Sequence, residues 1–271
     1  MKKVIFSLAL GTFGLGMAEF GIMGVLTELA RDVGITIPAA GHMISFYAFG
    51  VVLGAPVMAL FSSRFSLKHI LLFLVMLCVM GNAIFTFSSS YLMLAVGRLV
   101  SGFPHGAFFG VGAIVLSKII RPGKVTAAVA GMVSGMTVAN LVGIPFGTYL
   151  SQEFSWRYTF LLIAVFNIAV LTAIFFWVPD IRDKAQGSLR EQFHFLRSPS
   201  PWLIFAATMF GNAGVFCLVQ LYQAIYDVHL RFFGDEHDVY YDAGRAGDGV
   251  RQSVKRQTLR QIYSAAHRGS D

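Results

Sequence analysis

Six stretches of this sequence run for 18 to 26 residues with almost no charge: 4–27, 39–61, 70–87, 91–116, 125–150 and 158–178. A helix needs about 20 apolar residues to cross the ~30 Å hydrocarbon core of a bilayer. A backbone in lipid must also satisfy its own hydrogen bonds, so such runs fold as membrane helices. A seventh run, 202–225, weakens in its second half, where Gln220, Tyr222 and Gln223 fall, and is read as a partial span. The 271 residues have room for about eight or nine spans and not for twelve. Composition agrees: 13% of residues are charged, against about 25% in soluble domains. The 26 Phe exclude a disordered chain.

Charges between the runs set the direction of threading. Lys2 and Lys3, Arg64 and Lys68, Lys118, Arg121 and Lys124, and Arg182, Lys184, Arg190 and Arg197 all fall on one side, eleven in total, whereas Arg31 and Arg157 fall on the other. Positive loops stay in the cytoplasm, which places the N-terminus inside. This bias also accounts for the net charge of +7 without a nucleic-acid partner. Lys2, Lys3 and Gly16-Met17-Ala18 could be read as a leader with a cleavage site, but the apolar run continues past Glu19. Cys78 and Cys217 are too few for a disulfide framework or a cysteine-type zinc site.

Small features recur at an offset of 89 residues. Phe20-Gly21-Ile22 matches Phe109-Gly110-Val111, Met43-Ile44-Ser45 matches Met132-Val133-Ser134, and Gly54-Ala55-Pro56 matches Gly143-Ile144-Pro145. The offset spans three helices, an odd number, so the second copy is inserted upside down. Inverted 3+3 repeats are characteristic of secondary transporters; a generic glycine- and proline-rich bundle is the simpler alternative. Gly131, Gly135, Ala139, Gly143 and Gly147 recur every fourth residue, as do Gly102, Gly106 and Gly110, forming flat ridges on which backbones can approach. Pro56, Pro104 and Pro145 permit bending where neighbours re-satisfy the freed carbonyls.

Two strong charges lie well inside the spans, Glu19 and Arg98. Each costs at least ~2.5 kcal/mol at the bilayer centre, so neither should face lipid. Glu19 is about 22 Å along the first helix, roughly 8 Å from the outer surface, and Arg98 is about 10 Å deep on a helix entering from outside. The two levels coincide, which predicts an ion pair: a coupling element that exchanges a proton, or a static pair that fixes packing. His105 and Asn140 are the polar residues assigned to a substrate cavity, His105 with hydrogen-bonded packing as its alternative role. No Walker loop, His-Glu-x-x-His or complete dinucleotide loop occurs, so neither enzymatic activity, metal nor cofactor is expected.

Four patterns resemble the drug:proton antiporter and sugar-efflux branch of the major facilitator superfamily. Ala18-Glu19-Phe20-Gly21-Ile22-Met23-Gly24-Val25-Leu26 is similar to its first-helix signature, with Thr27 where proline is usual. Arg98-x-x-Ser101-Gly102 resembles the helix 4 motif, Gly143-x-Pro145-x-Gly147 the antiporter motif, and Ser155-Trp156-Arg157-Tyr158-Thr159-Phe160 the start of helix 6. The loop between helices 2 and 3 keeps only Arg64 and Lys68 of the family's Asp-Arg-x-Gly-Arg-Lys pattern. The resemblance implies an all-α polytopic protein of the inner membrane that moves a small solute, such as a sugar or drug, outward in exchange for protons, with Arg98 implicated in coupling.

After Phe216 the charge density more than doubles: residues 1–216 hold 14 basic and 7 acidic groups, the last 55 hold 7 and 7. The expected organisation is a six-helix domain at 1–179, a cytoplasmic loop at 180–201, the partial seventh helix at 202–225 and a polar tail at 226–271, disordered or out of frame. Such a half would be inactive alone and prone to self-association. A half-size transporter working as a homodimer and a membrane-anchored interaction protein are the alternatives.

Overall fold

The computed structural model describes residues 1–61, 65–182, 197–211, 213, 214, 217 and 218. It is all-helical among the described residues: α1 Lys2–Phe20, α2 Leu26–Val33, α3 Ile37–Phe61, α4 Leu67–Phe87, α5 Tyr91–Ile119, α6 Val125–Glu153 and α7 Trp156–Trp177. Six of these, all but α2, are long and apolar enough to cross a membrane. The chain divides into two units, Met1–Leu189 and Arg190–Asp271. In the second, residues 199–211 are helical, three residues ahead of the apolar run at 202. Arg64, most of the predicted loop, the end of the predicted seventh span and the tail at 226–271 lie outside the described residues.

The first predicted span, 4–27, is not continuous. α1 stops at Phe20, directly after Glu19, and residues 21–25 form turns closed by Met23 N donating to Phe20 O (3.1 Å) and Val25 N to Ile22 O (3.2 Å). Gly21 and Gly24 are the local reason, since glycine is the weakest helix former after proline. The chain then restarts as α2, with Glu28 in its first turn and Arg31 in its last, both favourable to the helix dipole. Gly34 ends it at φ 71°, a left-handed cap that L side chains rarely adopt.

The long helices begin in a repeating register. α1, α3 and α4 start at residues 2, 37 and 67, and α5, α6 and α7 start at 91, 125 and 156, so two of the three pairs are displaced by 89 residues and the third by 88. α4 and α7 are even capped alike, Ser66 Oγ accepting from His69 N and Ser155 Oγ from Arg157 N. The packing follows the same symmetry in part: α3 on α5 and α1 on α6 are equivalent pairs of similar extent, whereas α4 packs on α5 more extensively than its equivalent α7 packs on α1. Both tight pairs rest on glycine. A Cβ on Gly102 would run into the Tyr47 carbonyl, and one on Gly135 into the Ala9 carbonyl.

Loops alternate between two ends of this unit. At one, Leu67 N donates to Ile181 O (2.9 Å), joining the start of α4 to the chain beyond α7. At the other, Arg157 at the start of α7 reaches Asp32 after α1 and Ser88 after α4. The core between draws apolar side chains from every long helix, with Trp156, Phe85, Phe108 and Phe160 among the largest fully buried and Ala40, Met43 and Tyr47 supplied by α3.

Candidate functional site

Glu19 occupies the last turn of α1, so its carboxylate projects beside the break rather than along a continuous helix. It faces α5 two turns beyond Arg98: Glu19 Oε2 lies 3.6 Å from His105 Nε2. The imidazole's other nitrogen, Nδ1, is 2.8 Å from the Tyr47 hydroxyl of α3, which in turn donates to Leu15 O of α1 (3.3 Å). A phenol has one proton, and Leu15 O can only accept, so the arrangement that satisfies all three has His105 Nδ1–H donating to Tyr47 Oη. That leaves the Nε2 lone pair aimed at Glu19. At 3.6 Å this is an ion-pair contact and not a hydrogen bond, close enough for the charge on either group to bear on the other.

Arg98 does not form the predicted ion pair. No nitrogen of its guanidinium comes within 4 Å of the Glu19 carboxylate; instead Nη1 donates to Ala18 O (2.7 Å) and Nε to Met43 O (3.2 Å). The guanidinium lies over the Tyr47 ring at 4.4 Å, with Phe85 and Phe160 at 5.6 and 5.8 Å. The reason is reach: Arg98 sits seven residues, about 10 Å, from His105 along α5, and it meets the backbone of the Glu19 segment one residue early. It is 1% exposed, and its Nη2, like Glu19 Oε2, is buried without a hydrogen-bond partner among the described residues. The charge therefore acts on Glu19 through space and through the Ala18 carbonyl, not by contact.

His105 is buried, whereas Asn140 lies exposed on α6, and the structure does not bring the two together. Gly102 and Gly135 are crossing points, as above; Gly143 sits against Met17 Sδ (3.3 Å to a built Cβ), Gly147 against Gly21 O (3.0 Å) and Gly131 against Ile5 (3.3 Å). Pro145 lies within α6. Lys68 opens α4 with its ammonium 4.9 Å from the Phe175 ring centre. Tyr47 was not singled out from the sequence, although a tyrosine in the middle of an apolar span needs a partner for its hydroxyl, and that was the available signal. Among the described residues no group of three or more His, Cys, Asp or Glu is placed to hold a metal ion.

Comparison with known proteins extends these observations. The family model described as Major Facilitator Superfamily matches residues 8–234. Over 216 residues the chain is 88% identical to AraJ of Escherichia coli (strain K12), which covers 80% of this chain and 55% of that protein. It is 35% identical over 214 residues to the inner membrane transport protein YdhP of the same strain, covering 79% and 55%. A chloramphenicol resistance protein of Streptomyces lividans is 26% identical over 220 residues. The crystal structure of a peptide transporter, POT, bound to alafosfalin has the same fold at a TM-score of 0.59 and 13% identity, over 79% of this chain and 45% of that one. The chain spans about half the length of the curated relatives it matches.

Proposed function

The chain belongs to the Major Facilitator Superfamily, and from that premise we propose that its six-helix unit is the N-terminal half of a proton-coupled exporter of a small solute, a sugar or a drug, in the inner membrane. Glu19 carries the proton, His105 receives or releases it, Tyr47 fixes the imidazole tautomer, and Arg98 compensates the carboxylate when the proton leaves. The observation that carries this reading is Glu19 Oε2 at 3.6 Å from His105 Nε2, at the end of a helix that breaks one residue later. A charge in lipid costs several kcal/mol unless partnered, so a carboxylate beside an imidazole, with a guanidinium bonded to the preceding carbonyl, can change protonation without leaving the bundle. The similarity to YdhP, an inner membrane transport protein, and to a chloramphenicol resistance protein supports transport, with a drug as one class of solute.

The test is Glu19→Gln in a chain completed by a second six-helix half. Efflux is expected to lose its dependence on the proton gradient while the protein still accumulates; unchanged pH dependence would end this role for Glu19. The orientation has its own check. Reporter fusions after Lys68 and Lys124 are expected to read as cytoplasmic and a fusion after Ser89 as external, because the basic loops lie on the first side.

A further inference from the structure

Asp32 closes α2, the short helix that resumes the chain after the break at 21–25. Its Oδ2 accepts from Trp156 Nε1 at 3.0 Å and pairs with Arg157 Nη2 at 3.1 Å, and that same Nη2 donates to Ser88 O at 3.1 Å. Arg157 also lies 4.4 Å over the Trp156 ring. One carboxylate oxygen thus ties together the connections after α1, α4 and the start of α7. Trp156 is 1% exposed, and its ring continues inward: it packs edge-on against Phe85 (5.4 Å) and against Phe160 (6.3 Å). Phe85 and Phe160 are themselves in edge contact at 4.5 Å and both flank the Arg98 guanidinium. Arg98 then bonds to Ala18 O, the carbonyl of the residue before Glu19.

Two routes therefore join Asp32 to Glu19. One is the backbone of 21–34, whose inner end is the last turn of α1 and whose outer end Asp32 fixes. The other is the stack Trp156, Phe85, Phe160 and Arg98. We propose that Asp32 is a positioning residue for the Glu19 site: by anchoring α2 and seating Trp156, it sets where the broken span stops and where Arg98 stands relative to the carboxylate. The proposal rests on the reading of Glu19 as the proton carrier. The groups that face Glu19 are Arg98 and His105 of α5 and Tyr47 of α3, with Cys78 of α4 near Arg98. None of these touches Asp32, so any effect of Asp32 must travel along the two routes.

The readout is the rate at which a membrane-permeant carbodiimide labels Glu19 in the 271-residue chain, followed by mass spectrometry as a function of pH, with Glu19→Gln as the blank. Asp32→Ala, and Trp156→Phe, which keeps a ring but removes the N–H, are each expected to change the neutral-pH rate about threefold or more. Asp32→Glu is expected to restore much of the wild-type profile. Buried Cys78 reports the fold, since maleimide should not reach it in a packed bundle. Wild-type labelling in both variants with Cys78 still protected would overturn the proposal. Cys78 becoming reactive in every variant would overturn it too, because Asp32 would then merely hold the bundle together. If Glu19 in the unaltered chain labels at a rate independent of pH, it is the proton-carrier reading that falls. Amide hydrogen exchange at 21–25 then decides the positioning role alone: acceleration in Asp32→Ala by about threefold or more upholds it, and unchanged exchange ends it.

Discussion

The two three-helix repeats have nearly the same scaffold and different chemistry. Their long helices start 88 or 89 residues apart and their packing pairs correspond, yet the counterparts of the site residues are inert. Displaced by 89, Glu19 becomes Phe108, Arg98 becomes Ala9, His105 becomes Gly16 and Tyr47 becomes Met136. The backbone differs at one place above all. α1 breaks after Phe20, whereas α5 runs unbroken through Phe109 and Gly110 to Ile119. Packing in lipid is set by where small residues let helices approach, and that pattern tolerates duplication. The candidate site needs a single carboxylate with partners, and Glu19 lies where the symmetry fails.

The scaffold half of this comparison is broken most severely at its glycine crossings. Gly102→Val and Gly135→Val place a branched side chain against the Tyr47 and Ala9 carbonyls, one in each equivalent helix pair, and neither backbone can yield without moving a helix. Both variants are expected to fail to accumulate as folded protein in detergent, with losses beyond the ~1–3 kcal/mol of ordinary overpacking. Gly110→Ala, at the equivalent of Gly21 but with nothing within 4 Å of its built Cβ, is expected to melt like the parent. Thermal denaturation of the three side by side separates a crossing glycine from a repeated one.

A smaller effect sharpens the chemical half. Arg98→Met keeps an unbranched apolar chain on α5 but deletes the hydrogen bonds to Ala18 O and Met43 O. Bonds from a charged donor contribute about 1.5 kcal/mol each, so a loss of roughly 3 kcal/mol is expected, measured as a fall in melting temperature. If Arg98 were paired with Glu19 by contact, Glu19→Gln would destabilise by a similar amount. With no such contact, Glu19→Gln is expected to leave the melting temperature nearly unchanged.

How much of this was legible beforehand follows from which physics each feature depends on. Six spans, their order and the repeat register could be read because apolar length and small-residue spacing are local properties of the sequence, and Ser66 and Ser155 mark helix starts in the same way. That Glu19, Arg98 and His105 are the residues of interest inside the spans was legible for the same reason. Who touches whom was not. Depth arithmetic put Glu19 and Arg98 at one level but carries no azimuth, and it cannot tell the Glu19 carboxylate from the adjacent Ala18 carbonyl as Arg98's partner. The break after Phe20 was hidden because Ile22, Met23 and Val25 keep the run apolar while Gly21 and Gly24 unwind it. Asp32 carried no signal in the sequence, since its partners Trp156 and Arg157 lie 124 and 125 residues later.

The smallest effect is expected at the equivalent starts of the two third helices. Trp156 of α7 corresponds to Leu67 of α4, and each start carries an acidic partner from a neighbouring connection: Asp32 for Arg157, Asp180 for His69. The two ties differ in kind. Asp32 and Arg157 are held at 3.1 Å with an indole N–H on the same oxygen. His69 Nδ1 stands 3.9 Å from Asp180 Oδ1 but only 2.6 Å from Ser66 Oγ, and both side chains of the acid pair are more than half exposed. A protonated imidazole there would also oppose the positive N-terminal end of α4. Exposed pairs contribute about 0–1 kcal/mol and fade with salt. The start of α4 keeps a tie that no side chain can remove, Leu67 N to Ile181 O. Asp180→Asn is therefore expected to shift stability by less than about 0.5 kcal/mol, and by nothing measurable at high salt. Asp32→Asn, measured under the same conditions, should retain part of its loss at high salt: the Asp32 side chain is 49% exposed, but one partner is a buried indole and the other a part-buried guanidinium that is also bonded to a carbonyl. Equal salt sensitivity in the two variants would show that Asp32 is only a surface charge and that the two ends of the repeat are tied alike.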